Sequence, residues 1–316
     1  MNKRKFVVIT AGAVLALGVS LPYFAHAQGK KVFALVPKGI NVPFYNAVES
    51  GGKAQAAKIG VECLYTGSAN SDEAEQVQIL RDLITKGVAG IAVAPVNGDS
   101  VVSVIAAARK KNIPVITFDS DAPKSERQAY IGTDNTDGGR EAGKAFAKAL
   151  PGKGKIAIIT GHLAAVNHGE RVKGFREGAG GGYTEVPGSP FPCDDDSSKC
   201  LQITQDILTR YPDLAGIYYT GGWAQFGAPE AYVKAISKKD ADMKSGKFVV
   251  VAFDSLPAQL KLVKEGHCNA LIGQRPTKMG SDSMDALMSL ADGKKAENIN
   301  TGVDVITKEN VGEFMK

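Results

Sequence analysis

Short apolar runs alternating with amphipathic stretches, a restart of that pattern after Thr133, and a length that suits two ordinary domains predict an α/β chain. Its fold class is two successive doubly wound, Rossmann-like parallel-sheet units. Apolar runs bounded by turn residues read as strands buried on both faces, and parallel pairing requires a crossover helix between them. In the first unit, strands are predicted at Val32–Val36, Val61–Tyr65, Gly90–Ala94, Pro114–Phe118 and Ala129–Ile131. The segments Phe44–Ile59, Ser71–Lys86 and Ser100–Lys111 space their apolar residues as helices do.

Asp134 is a suitable N-cap for a helix over Gly138–Leu150, which opens the second unit. Strands follow at Lys155–Thr160, near Glu185, and at Gly216–Tyr219, Lys247–Ala252 and Ala270–Gly273. Helices fit at Gly169–Glu177, Lys199–Tyr211, Ala228–Ser237 and Leu256–Glu265. The connection between the units is too short, and too poor in Pro, Ser and charge, for a free linker. A long helix at Lys278–Ala291 and a strand at Gly302–Ile306 complete the pattern.

Ahead of these elements, Asn2, Lys3, Arg4 and Lys5 precede an apolar stretch from Phe6 to Val19, and Ala25-His26-Ala27 fits a cleavage site. Residues 1–27 therefore read as an export signal cut near Ala27, with the mature chain starting near Gln28. No cysteine follows the cut, which argues against a lipid anchor, and the remainder has no apolar run long enough to span a bilayer. Removing three basic residues and no acidic ones lowers the formal net charge from +5 to +2. So small and evenly spread a charge argues against nucleic acid or an anionic membrane as partner.

Of the four cysteines, Cys193 and Cys200 bracket a polar loop, and a short-range disulfide fits there in an oxidising compartment. Cys63 and Cys268 lie in apolar, strand-like contexts and read as buried thiols. No G-x-S-x-G, H-E-x-x-H or G-x-x-x-x-G-K-[ST] pattern occurs, so an enzyme is not expected. Gly178–Gly182 follows a helix instead of a strand, which argues against a nucleotide loop. Asp134–Gly138 lacks the alternating ligands and terminal Glu of a calcium loop, and reads as a helix start. Asp194–Asp196 is compatible with a cation site or with a solvated acidic turn. The spacing of His162, His168 and His267 suggests no metal, and no cofactor is expected.

The suspicious groups lie just past predicted strands. Lys38, Phe44 and Tyr45 follow the first strand, and Asp119 and Asp121 the fourth. His162 and Asn167 follow Lys155–Thr160, Trp223 follows Ile217–Thr220, Asp254 follows Phe248–Phe253, and Gln274 follows Leu271–Gly273. In open parallel sheets these ends gather into one crevice. For each residue alone, capping, turn formation or stapling of a loop is the competing reading, and the joint recurrence is what favours a site. Carboxylates, Arg171, Lys38, amides and aromatic faces together suit a neutral polyhydroxylated solute.

The chain resembles the sugar-binding proteins of bacterial ABC importers, in the ribose-binding group of the type I periplasmic binding fold. The motifs are P-x-x-x-x-x-P-F-Y at Pro37–Tyr45, GIAVAP at Gly90–Pro95, PVITFDSD at Pro114–Asp121 and YIGTDN at Tyr130–Asn135. They continue with N-x-x-x-R-x-x-G-F at Asn167–Phe175, VAFDS at Val251–Ser255, GQRP at Gly273–Pro276 and TGVDVIT at Thr301–Thr307. The last two most resemble glucose- and xylose-type binders.

The resemblance implies two lobes joined by a three-segment hinge with a ligand cleft between them. One lobe would span 28–133 plus 275–302, the other 134–274 plus 303–316. It implies ligand contacts at Lys38, Phe44, Tyr45, Asp119, Asn167, Arg171, Trp223, Asp254 and Gln274. Ala94, Ser120 and the lack of an Asn near Gly221 or Gly222 depart from the ribose pattern, which favours another ligand. The expected role is a monomeric periplasmic protein that captures a monosaccharide or polyol by hinge closure and delivers it to an ABC permease. A chemoreceptor or sensor kinase as partner, and an exported carbohydrate-active enzyme, are the alternatives.

Overall fold

Strand β1 (Val32–Val36) alternates its side chains between two cores. Phe33 and Leu35 enter one cluster, Ala34 and Val36 the other, so the strand is apolar throughout because both faces are covered. The computed structural model describes residues 30–315, and the export signal with its cleavage point lies outside the described residues. Helices α1 (Phe44–Ile59), α2 (Glu73–Lys86) and α3 (Val102–Lys110) link β1 to β2 (Glu62–Tyr65), β3 (Gly90–Val93) and β4 (Val115–Phe118), and β5 (Tyr130–Gly132) pairs beside β4.

After Thr133 the chain enters a second sheet. Its elements are α4 (Asn135–Ala149), β6 (Gly154–Thr160), α5 (Val166–Ala179), β7 (Tyr183–Glu185), β8 (Phe191–Pro192), α6 (Ser197–Arg210) and β9 (Leu214–Tyr219). They continue with α7 (Trp223–Gly227), α8 (Pro229–Ile236), α9 (Asp240–Lys244), β10 (Val249–Phe253), α10 (Pro257–Glu265) and β11 (Ala270–Gly273). Helix α11 (Pro276–Ala291) then packs on α1, and β12 (Ile299–Asn300) pairs with β5. Finally, β13 (Asp304–Thr307) joins the second sheet. The strand orders are β12-β5-β4-β3-β1-β2 and β13-β11-β10-β9-β6-β7, with β8 beside β6. The chain thus passes between the sheets three times, near Thr133, Gln274 and Gly302.

Four short elements escape the sequence pattern. Strands β8 and β12 have two residues each, too few to show a period, and α9 is a single polar turn. Helix α7 opens directly behind Gly221-Gly222, which reads as a break. The last strand begins at Asp304 instead of Gly302, because Gly302 has φ 78°, outside the strand region. It runs antiparallel to β11, so the second sheet is not wholly parallel.

Helices α4 and α5 cross backbone to backbone, with consequences for the site. A Cβ on Gly139 would lie 2.3 Å from the Arg171 carbonyl oxygen, and one on Gly174 would lie 2.0 Å from that of Thr136. Neither neighbour is a flexible side-chain tip, so a methyl there must push the helices apart. Gly139→Ala should therefore cost about 1–3 kcal/mol, as overpacking does. Urea denaturation should show a lowered midpoint with an unchanged m-value, and an unaltered midpoint would contradict the packing described.

Candidate functional site

Loops from the carboxyl ends of both sheets converge on one narrow cavity of about 30 Å³. Its walls include Lys38, Phe44, Tyr45, Asp119, Asn167, Arg171, Trp223, Asp254 and Gln274, the nine contacts the resemblance implies, whereas the other strand-end candidates Asp121, paired with Arg127, and His162 lie outside it. His168, Asp195, Val42, Gly221 and Phe226 line it as well. Its side chains nearly fill it, since small-molecule pockets run to about 300–1,000 Å³.

Two aspartates mark equivalent places in the two sheets. Asp119 follows β4 and Asp254 follows β10, with φ of 56° and 75°. A non-glycine residue in the left-handed region carries a conformational cost, and both side chains are buried where they turn from strand into cleft. Asp119 Oδ2 accepts from the Tyr45 hydroxyl at 2.7 Å. Asp254 accepts from Gln274 Nε2 at 2.8 Å and from the Gly222 amide at 3.2 Å. Burial pushes the Asp254 carboxyl above its ordinary value, with Arg171 and the two donors opposing the shift.

Arg171, on α5, is 2% exposed. Its Nε donates to Asn135 Oδ1, Nη1 to the Thr220 carbonyl and Nη2 to Gln274 Oε1, each at 2.8 Å. The guanidinium lies 4.1 Å from the centre of the Phe253 ring and 3.9 Å from Asp119 Oδ1. Three of its five N–H groups are thereby engaged, leaving two for another acceptor. Gln274 also accepts from Thr133 Oγ1 at 2.9 Å, which ties this network to two of the crossovers.

The aromatic residues flank the polar ones. Phe44 opens α1 and meets Tyr45 edge to face at 5.2 Å, while Trp223 opens α7 with its ring 5.3 Å from His168. A Cβ on Gly221 would lie 2.6 Å from the Trp223 ring. The indole thus occupies the space that a side chain at position 221 would need, which accounts physically for the absence of an Asn there.

The acidic turn behaves differently from either sequence reading. Asp194 pairs with Lys199 and Asp196 caps α6, but Asp195 turns inward, its side chain only 5% exposed. It faces Lys38 at 3.8 Å and His168 Nε2 at 3.2 Å. Burial alone would raise its carboxyl. The Lys38 ammonium instead holds it well below the usual carboxylate range.

Since the Thr220 hydroxyl donates to Thr160, His168 Nδ1–H donates to Thr220, and Nε2 is free to accept from Lys38. One nitrogen cannot also donate to Asp195, whose Oδ1 is left without a hydrogen-bond partner although it lies near the ring. Asp195 and His168 were missed because no single-strand pattern marks them. The run of three acids between Cys193 and Cys200 was the available signal.

Asp134 caps α4 by accepting from the Asp137 amide, a helix start as read. The four cysteines are thiols. Cys193 and Cys200 are buried, the Cys193 thiol pushed up by the neighbouring Cys200 and by burial, whereas Cys63 is only half-buried.

Two α/β lobes that meet at a polar, aromatic-lined cavity define a solute-binding protein of the type I periplasmic binding fold. The chain belongs to the periplasmic binding protein domain family, whose profile matches residues 33–295. It is 29% identical over 297 residues to the ribose import binding protein RbsB of Escherichia coli K12, covering 94% of this chain and 96% of that protein. A solute-binding protein of an ABC transporter from Burkholderia graminis, solved in complex with D-arabinose, is 37% identical. It superposes with a TM-score of 0.81 over 90% of this chain and 98% of its own. A chain in the XylFII-LytSN complex is 26% identical, with a TM-score of 0.79 over 89% of this chain and 98% of its own.

Burial and the Lys38 ammonium lower the His168 pKa to about 4, with Asp195 opposing and Arg171 adding to the shift. The folded chain therefore binds fewer protons than the unfolded chain between pH 6.5 and pH 4, and stability falls as pH drops through that window. At pH 5 the loss relative to pH 8 should be about 2 kcal/mol, while Asp195 contributes only at more acidic pH. Calorimetric unfolding of the wild type should show this slope, and His168→Gln should flatten it. An equal slope in the variant would contradict the assignment.

Proposed function

We propose that this protein captures a monosaccharide or polyol of pentose or hexose type, other than ribose, by hinge closure and delivers it to the permease of an ABC importer. The observation that carries this is the convergence of Phe44 and Trp223 with Asp119, Arg171, Asp254 and Gln274 on one small cavity between two lobes. An aromatic face suits the C–H surface of a sugar ring, and carboxylate, guanidinium and amide suit its hydroxyls. In this reading Phe44 stacks on the ring, and Tyr45, Lys38, Asn167 and Trp223 complete the walls.

The lobes comprise 28–133 plus 275–302 and 134–274 plus 303–316, and closure gains stability from a solute touching both. The family membership and the sugar-binding names of its relatives support a transport role in the periplasm without chemical turnover; in this reading the protein acts as a monomer. In that oxidising compartment, Cys193 and Cys200 would be able to join. A sensing role beside transport is favoured by one observation, the likeness to a chain solved in the XylFII-LytSN complex.

Titration calorimetry against a panel of pentoses, hexoses and polyols should find a binder that is recovered unchanged. Asp254→Ala should weaken that binder about 100-fold, since charge-assisted hydrogen bonds are worth about 1.5–3 kcal/mol. No binder in the panel, or a variant that binds like the wild type, would overturn the assignment.

A further inference from the structure

The Tyr45 ring sits in an apolar setting. It meets Phe44 edge to face at 5.2 Å and Phe118 at 6.3 Å, and it is 3% exposed among the buried side chains of the first sheet. A phenylalanine would serve that packing equally well. The hydroxyl brings a polar group into this cluster, and burying it costs free energy unless it is hydrogen-bonded. Its partner is Asp119 Oδ2 at 2.7 Å. Burial, and then the Asp119 carboxylate, push the phenol well above its ordinary value, so it stays protonated and donates.

This bond lies within one lobe. Tyr45 is the second residue of α1, which packs on the six-stranded sheet, and Asp119 follows β4 of that sheet, so parting the lobes leaves the bond intact. The main chain of Asp119 is pinned as well. Its amide donates to the Ile131 carbonyl at 3.1 Å, and its carbonyl accepts from the Tyr130 hydroxyl at 2.9 Å. With Oδ2 held, the carboxylate has one orientation, and Oδ1 faces Arg171 Nη2 at 3.9 Å. One hydroxyl oxygen fits that gap, donating to Oδ1 and accepting from a guanidinium N–H.

We propose that Tyr45 is a positioning residue that sets selectivity: its hydroxyl aims Asp119 before a solute arrives and takes the place of a second solute hydroxyl, so that Asp119 recognises one hydroxyl through Oδ1 instead of a vicinal pair through both oxygens. The selectivity rests on the cleft being the solute site proposed above, whereas the aiming of Asp119 is a property of the first lobe alone.

Crystal structures of wild type and Tyr45→Phe without solute test the aiming. Wild type should keep the phenol on Asp119 Oδ2, and the variant should show the carboxylate rotated or in two orientations. A ligand-free wild type lacking the bond, or a variant with an unmoved carboxylate, would overturn the proposal. Titration calorimetry of both proteins with D-arabinose, D-xylose and D-glucose, each beside its monodeoxy analogues, tests the selectivity. Wild type should reject the analogue lacking the hydroxyl that faces Asp119, and Tyr45→Phe should reduce that rejection about tenfold at this one position. Reduction at two neighbouring positions, or the equal weakening of every sugar that a merely structural role produces, would overturn it. A set without any binder would sink the transport reading, and the two ligand-free structures would still decide the role of Tyr45.

Discussion

The burial of the Arg171 guanidinium is the constraint on which the rest of the site depends. A charge with 2% exposure must find acceptors for its donors, and here they come from α4, from the end of β9 and from the residue after β11. Each acceptor is held in turn: Asn135 opens α4, the Thr220 carbonyl ends a strand, and Gln274 is fixed by Thr133 and Asp254. The glycine-lined crossing of α4 and α5 allows Arg171 to sit this deep, because a side chain at Gly139 would displace its backbone. Helix packing and site chemistry are therefore one problem in this protein.

The cleft has two electrostatic halves. Around Arg171 the carboxylates of Asp119 and Asp254 are engaged by Tyr45, Gln274 and a backbone amide, and the network still offers unused donors. Around Lys38 the ammonium bonds Asn167 and the neutral His168 ring and stands 3.8 Å from Asp195, whose Oδ1 has no hydrogen-bond partner. Positive and negative groups lie interleaved in both halves, an arrangement suited to uncharged hydroxyl-bearing solutes and poorly suited to anions.

Much of this was legible in the sequence because it depends on local signals. Strands buried on both faces are apolar throughout, as β1 and β10 are, and the residues just past them are placed by sheet topology alone. That logic found Lys38, Asp119, Asn167, Asp254 and Gln274. Arg171 came from a motif, since a helix can present it in many directions. His168 and Asp195 were not legible, because their roles arise from side chains far apart in the chain meeting in space. Asp195 in particular looks like its solvated neighbours until backbone geometry turns it inward. The placement of β12 and β13 in different lobes came from the resemblance alone, since two-residue and four-residue strands carry no usable period.

The central claim, that the network around Arg171 forms the wall of a solute site, is tested most directly by a crystal structure with the panel's binding solute. The account predicts density for one small ring against Phe44, with hydroxyls in hydrogen-bond reach of Asp119, Arg171 and Asp254. Density located instead in the separate groove lined by Lys144, Lys148, His267 and Lys308, with the cleft residues untouched, would contradict it.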